Sequence, residues 1–157
     1  MWRSIKNFTG LVESPSEFWL FLRIGIWIAV ITVYLRLAPM DSLMRALQPQ
    51  KRSSRKWPRT KLVNFTSFWL GREKAFFQRS CLKRSLVLFR YLNLQDEDAR
   101  FVIGVRKEEG ELRGHSWILL AGQSLFPDDD LNYRVIFSFP PEGTATEPGK
   151  QASSVTD

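Results

Sequence analysis

Cys81 and His115 are the only cysteine and the only histidine in the chain. Together they are the residue types of a thiol nucleophile and its base. A thiol attacks a carbonyl as the thiolate. It needs a lowered pKa and a base that can hand the proton on to the leaving amine. Cys81 falls at the predicted start of a helix, where unpaired backbone N–H groups favour the thiolate. Arg79, Lys83 and Arg84 add positive charge around it. His115 falls in the middle of a predicted strand. Gly114 before it would let another chain approach closely. Trp117, two residues on, shares its face and can shield the imidazole from water. A third group must orient the ring. The tight turn at Gly122 folds the following segment back toward His115, and a residue about a dozen positions beyond the histidine falls beside it. Pro127 occupies that place and Asp128, Asp129 and Asp130 follow. Asp128 is the expected orienting group, with Asp129 and Asn132 as alternatives. The two singletons exclude a disulfide scaffold and any Cys/His zinc site made by this chain alone, and no cofactor is expected. Spacing by itself does not make the pair catalytic, because a lone cysteine is more often a small buried apolar residue.

The elements that must position these residues make up the second part of the chain. Thr66 to Gln78 carries Phe68, Trp69, Ala75 and Phe76 at helical spacing. Ser80 to Leu92 reads as a second helix with Leu82, Leu86, Val87 and Phe89 toward a core. Phe101–Arg106, Leu112–Leu120 and Tyr133–Phe139 read as strands, with turns at 107–110 and 121–123. After Pro140 there is no apolar periodicity, and a disordered tail is expected. The class is α+β, with the cysteine helix packed on a small antiparallel sheet.

The first sixty residues differ. Phe18 to Met40 is an apolar run broken by Arg23 and Arg36, which leaves twelve uncharged residues between them. A membrane span needs about 20 mostly apolar residues, and an arginine near its centre costs about 2.5–3.5 kcal/mol. The run suits either a buried or interfacial helix or a marginal span over residues 18–37. Ser14-Pro15-Ser16-Glu17 is a good helix start. Asp41 is expected to cap a short amphipathic helix through Leu47. Pro49 to Arg59 is a basic, proline-bounded linker, suited to phosphates, lipid headgroups or an acidic peptide, or simply to solvent. The expected division is 1–59 for these N-terminal elements, 60–139 for the core and 140–157 for the tail.

With 157 residues, 44% hydrophobic, the chain can bury one core. Its net charge of +7 favours an acidic partner without choosing one. The order of cysteine at a helix start, histidine on a strand and aspartate further on resembles the papain-like and transglutaminase-like thiol folds. Four blocks carry the likeness further. They are Cys81-Leu82-Lys83-Arg84-Ser85-Leu86, Phe101-Val102-Ile103-Gly104-Val105, Leu112-Arg113-Gly114-His115-Ser116-Trp117-Ile118 and Gly122-Gln123-Ser124-Leu125. In this order they are similar to the stand-alone leader peptidases of lasso peptide biosynthesis, the microcin-processing type with a transglutaminase-like core. Any one block is weak; four together are fairly specific. A fainter likeness extends to Tyr34-Leu35-Arg36-Leu37-Ala38-Pro39.

The resemblance implies a bacterial cysteine peptidase that removes the leader from a ribosomally made precursor, with Cys81 as nucleophile and His115 as base and acid. That family often has an aspartate where this chain has Pro127, which leaves the orienting group open. The resemblance also implies a separate leader-recognition protein, a cyclase partner and a cytoplasmic location, with the apolar run as an attachment to the inner membrane face. Two other readings compete. One is acyl transfer to an amine by the same pair. The other is a non-enzymatic, membrane-associated scaffold that only binds peptide. Nucleic-acid binding is disfavoured, because the basic residues scatter and no aromatic reading platform accompanies them.

Overall fold

The computed structural model describes residues 14–50, 53–71, 77–126 and 132–141, with residues 77–80 described by backbone alone. Helix α1 (Pro15–Leu37) starts where the sequence signals it. The Ser14 hydroxyl accepts the Glu17 N–H at 3.3 Å, and Pro15 takes the first helical position. Pro39 follows its end and opens α2 (Met40–Leu47). Asp41 lies in the first turn of α2 and is not its cap. Helix α3 (Arg59–Leu70) begins earlier than the expected Thr66, directly after Pro58. It buries Leu62, Phe65, Thr66 and Leu70, a three-to-four spacing that runs through the basic start of the segment. Helix α4 (Phe77–Leu94) begins about a turn before the expected Ser80.

The sheet is antiparallel in the order β3-β2-β1-β4. Strands β1 (Ala99–Glu108) and β2 (Glu111–Leu120) pair along their whole length, from Ala99 opposite Leu120 to Glu108 opposite Glu111. Two residues join them, Glu109 at φ 50° and Gly110 at φ 87°. Two positive φ values are what the right-handed strand twist asks of so short a hairpin. Strand β3 (Gln123–Ser124) is brief, and β4 (Arg134–Phe139) lies on the far side of β1 with a register shift between Ile103 and Gly104.

One core joins these parts. Leu86, Phe89 and Leu92 of α4 meet Ala99, Phe101 and Ile118 of the sheet on one side. On the other they share the cluster with Ile24, Ile28 and Ile31 of α1, Leu62 and Phe65 of α3, and Leu43, Met44 and Leu47 of α2. Side chains from both sides of Thr60 therefore fill the same interior. The apolar run packs one face inward: Phe21 meets Phe65 edge-on at 5.4 Å and stacks on Trp69 at 5.0 Å. Gly25 makes that fit, since a Cβ there would lie 2.6 Å from the Trp69 ring. Trp69 Nε1 donates to the Phe21 carbonyl at 3.1 Å, and Lys61 pairs with the largely buried Glu17. Arg90 of α4 lies 3.7 Å over the Trp27 ring of α1 and donates to the Leu47 carbonyl that ends α2. Cation–π contact and helix C-capping thus act through one guanidinium at a three-helix junction. The opposite face of α1 is apolar too, with Trp19, Ile26, Val33 and Leu37 each more than half exposed. The helix is long and apolar enough to cross a membrane. The expected tail, from residue 142 onward, lies outside the described residues, as do Lys51 and Arg52 of the basic linker.

Candidate active site

Cys81 is the fifth residue of α4 and His115 stands mid-strand in β2. The fold brings them together: they are hydrogen-bonded, and Cys81 also meets Ser116. The helix is held against this strand one turn further along, where the buried Ser85 hydroxyl donates to the Ser116 carbonyl at 3.0 Å. Cysteine and serine lie four residues apart on α4 and so share the face turned to β2.

Burial pushes the Cys81 thiol up. Hydrogen bonds from His115 and Ser116, with the charge of the imidazole, outweigh that and hold it below its ordinary value. Cys81 follows Phe77 by four residues on α4, and the groups that hold the thiol down lie on β2. Arg84, expected to add charge at the sulfur, lies 4.5 Å over the Phe126 ring. The Ser116 side chain is buried, and its contact with Cys81 is among those that hold the thiol down.

The imidazole is held between two aromatic rings. Trp117 lies nearly parallel to it at 6.2 Å between centroids and an interplanar angle of 16°. Tyr133, just before β4, lies at 5.3 Å. Trp117 is buried, as its alternation with His115 predicted, and its Nε1 is a buried donor without a partner among the described residues. Tyr133 was not foreseen. It comes over the site because β4 joins β1 and not β2, and Arg106 covers it at 4.9 Å. Gly104, paired with His115, is what admits both rings. A Cβ there would lie 2.7 Å from Trp117 Cη2 and 2.9 Å from Tyr133 Cβ. Close approach had been expected at Gly114, but the space above that glycine is open.

The recorded β2–β3 pairing runs only from Leu120 opposite Gln123 to Leu119 opposite Ser124. Asp128, Asp129 and Asp130 lie outside the described residues. Asn132 is described. It is exposed, at φ 63°, and lines an open surface hollow of about 590 Å³ with Arg106 and Arg134. Among the described residues, no group of three or more His, Cys, Asp or Glu side chains could hold a metal ion.

A thiol of lowered pKa touching an imidazole, on a helix against an antiparallel sheet, defines a thiol-enzyme type of centre. Residues 27–138 match the transglutaminase-like superfamily, and since that is most of the chain, the protein belongs to it. The superfamily includes cysteine peptidases and acyltransferases. No curated protein and no solved structure matches the chain. The matched region opens inside α1, so it takes in the C-terminal part of the apolar helix.

Proposed function

We propose that the protein is a cysteine peptidase that cleaves a leader from a ribosomally made precursor, as the four sequence blocks suggest for lasso peptide maturation. The observation that carries the reading is the hydrogen bond between Cys81 and His115. In the first half-reaction the thiol proton passes to His115 and the sulfur adds to the scissile carbonyl. The C–N bond breaks as His115 gives that proton to the leaving amine, which leaves a thioester on Cys81. In the second, His115 takes a proton from water and the hydroxide adds to the thioester. The leader departs as a carboxylic acid, and Cys81 leaves as thiolate and recovers its proton. Asp128 is the proposed orienting group for the imidazole. A leader-recognition protein and a cyclase are the partners this pathway requires. The cytoplasmic face of a membrane is its proposed place, with the exposed face of α1 as the attachment.

Acyl transfer shares every step up to the thioester and differs only in replacing water by an amine. The test is incubation of the protein with a leader-bearing precursor peptide of the lasso type, with and without a leader-recognition protein. Mass analysis of the product should give a free leader with a new C-terminal acid; an amide-linked adduct would mean transfer. The Cys81→Ala chain should release no leader while keeping the circular dichroism of the parent. Leader release by the alanine chain at the parental rate would refute the peptidase reading.

A further inference from the structure

A second polar cavity lies apart from the Cys81–His115 pair, between the start of α1, the chain leading into α3 and the end of α4. Its volume is about 120 Å³, against roughly 30 Å³ for one water in the liquid. It has room for a small tetrahedral group. Among the described residues, Arg23 and Arg55 line it and no carboxylate does.

Two buried side chains in its wall carry polar atoms that no group among the described residues answers. Tyr91 is 2% exposed and its hydroxyl has no partner. Gln95 is also 2% exposed. Its Oε1 accepts the Trp57 N–H, which fixes Nε2 as the remaining end, and Nε2 donates to nothing. A buried polar group left unsatisfied is costly, and native proteins carry few of them. Burial pushes Tyr91 up to about 12, although Arg23 and Arg90 pull the other way, so the hydroxyl stays protonated at neutral pH.

We propose that this cavity binds a phosphate-type oxyanion, with Arg23 and Arg55 supplying charge and Tyr91 Oη and Gln95 Nε2 donating hydrogen bonds. An oxyanion accepts from all four groups at once. Arg23 and Arg55 reach the cavity from the exposed surface, so an anion there would draw on both charges as well as on the two neutral donors, whereas a cation is repelled. Trp19, on the exposed apolar face of α1, is part of the same wall. The phosphodiester of an anionic lipid and free phosphate therefore both present the chemistry that the cavity recognises.

The full chain and its Arg23→Gln and Tyr91→Phe variants would be titrated with inorganic phosphate by calorimetry. They would also be floated with phosphatidylglycerol or phosphatidylcholine vesicles. Saturable phosphate binding by the parent, about tenfold or more weaker in each variant, is the expected result. Tyr91→Phe should melt no lower than the parent without phosphate, since it removes an unanswered hydroxyl; this separates a lost contact from a damaged fold. Flotation with phosphatidylglycerol but not phosphatidylcholine, lost in Arg23→Gln, would assign the site to a lipid headgroup. Phosphate binding without flotation would assign it to a soluble phosphate. The proposal is overturned if the parent binds neither probe, or if both variants bind as the parent does.

Discussion

The sulfur of Cys81 is governed by its neighbours on β2. Its pKa is lowered although burial works against it, so the His115 and Ser116 contacts must exceed the burial cost. The sign of the pH dependence follows. A depressed pKa keeps the thiolate populated at lower pH than in a free thiol, and thiolate is the species that alkylates. Alkylation by iodoacetamide should reach its half-maximal rate at a pH below that of free cysteine. His115→Ala removes the stabilising partner and leaves the burial, so the midpoint should rise; parallel stopped-flow pH profiles would show it. An unmoved midpoint in the alanine variant would separate the imidazole from the sulfur. At this scale the sequence was informative, because a lone cysteine and a lone histidine sit on strongly patterned elements, and period-two alternation put Trp117 on the histidine's face. Tyr133 and Gly104 were not legible. Their meeting depends on which strand pairs with which, and on a register shift at Ile103/Gly104 that leaves no local mark.

Among the elements, β1 and β2 form the rigid part of the site. Ten cross-strand pairs hold them, and Gly104 lies within that ladder, opposite His115. Its missing side chain is the room the two rings occupy. Gly104→Ala should cost about 1–3 kcal/mol as overpacking, because rings and backbone must move a few tenths of an ångström or more. Denaturant melts would measure the loss, and near-ultraviolet dichroism of Trp117 and Tyr133 would change with it. An alanine variant as stable as the parent would mean that the rings can step aside. The helix boundaries were the least readable part. Gly71 caps the end of α3, whereas the expected helix from Thr66 to Gln78 runs through it. Pro58 before Arg59 was the better signal, since proline commonly precedes or opens a helix.

For the whole molecule, the unresolved choice in the sequence was the role of the apolar run. Apolar residues on every face of a helix fit either a core or lipid. In the fold one face of α1 is core and the other is open, which is why periodicity could not decide. Trp19, Ile26, Val33 and Leu37 recur at helical spacing along that open face. Ile26→Glu together with Val33→Glu should leave the melting temperature nearly unchanged, since exposed substitutions usually fall within about 0.5 kcal/mol. The same pair should cut retention on a phenyl matrix and on lipid vesicles. A double variant that unfolds would mean that Ile26 and Val33 are packed within the chain and do not face outward. The mixed α/β class was readable from the change of period near Phe101, whereas the sharing of one interior by the first and second halves was not.

The pairing of a solitary imidazole with a solitary sulfur also has a practical side. In a proton spectrum of the intact protein, the ring signals of His115 stand without histidine overlap, and one nitrogen-labelled amino acid suffices to find them. Any reagent that caps Cys81 reports itself by moving those lines. Occupancy, ionisation and inhibitor binding can then be followed at a single reporter, without assigning the rest of the polypeptide.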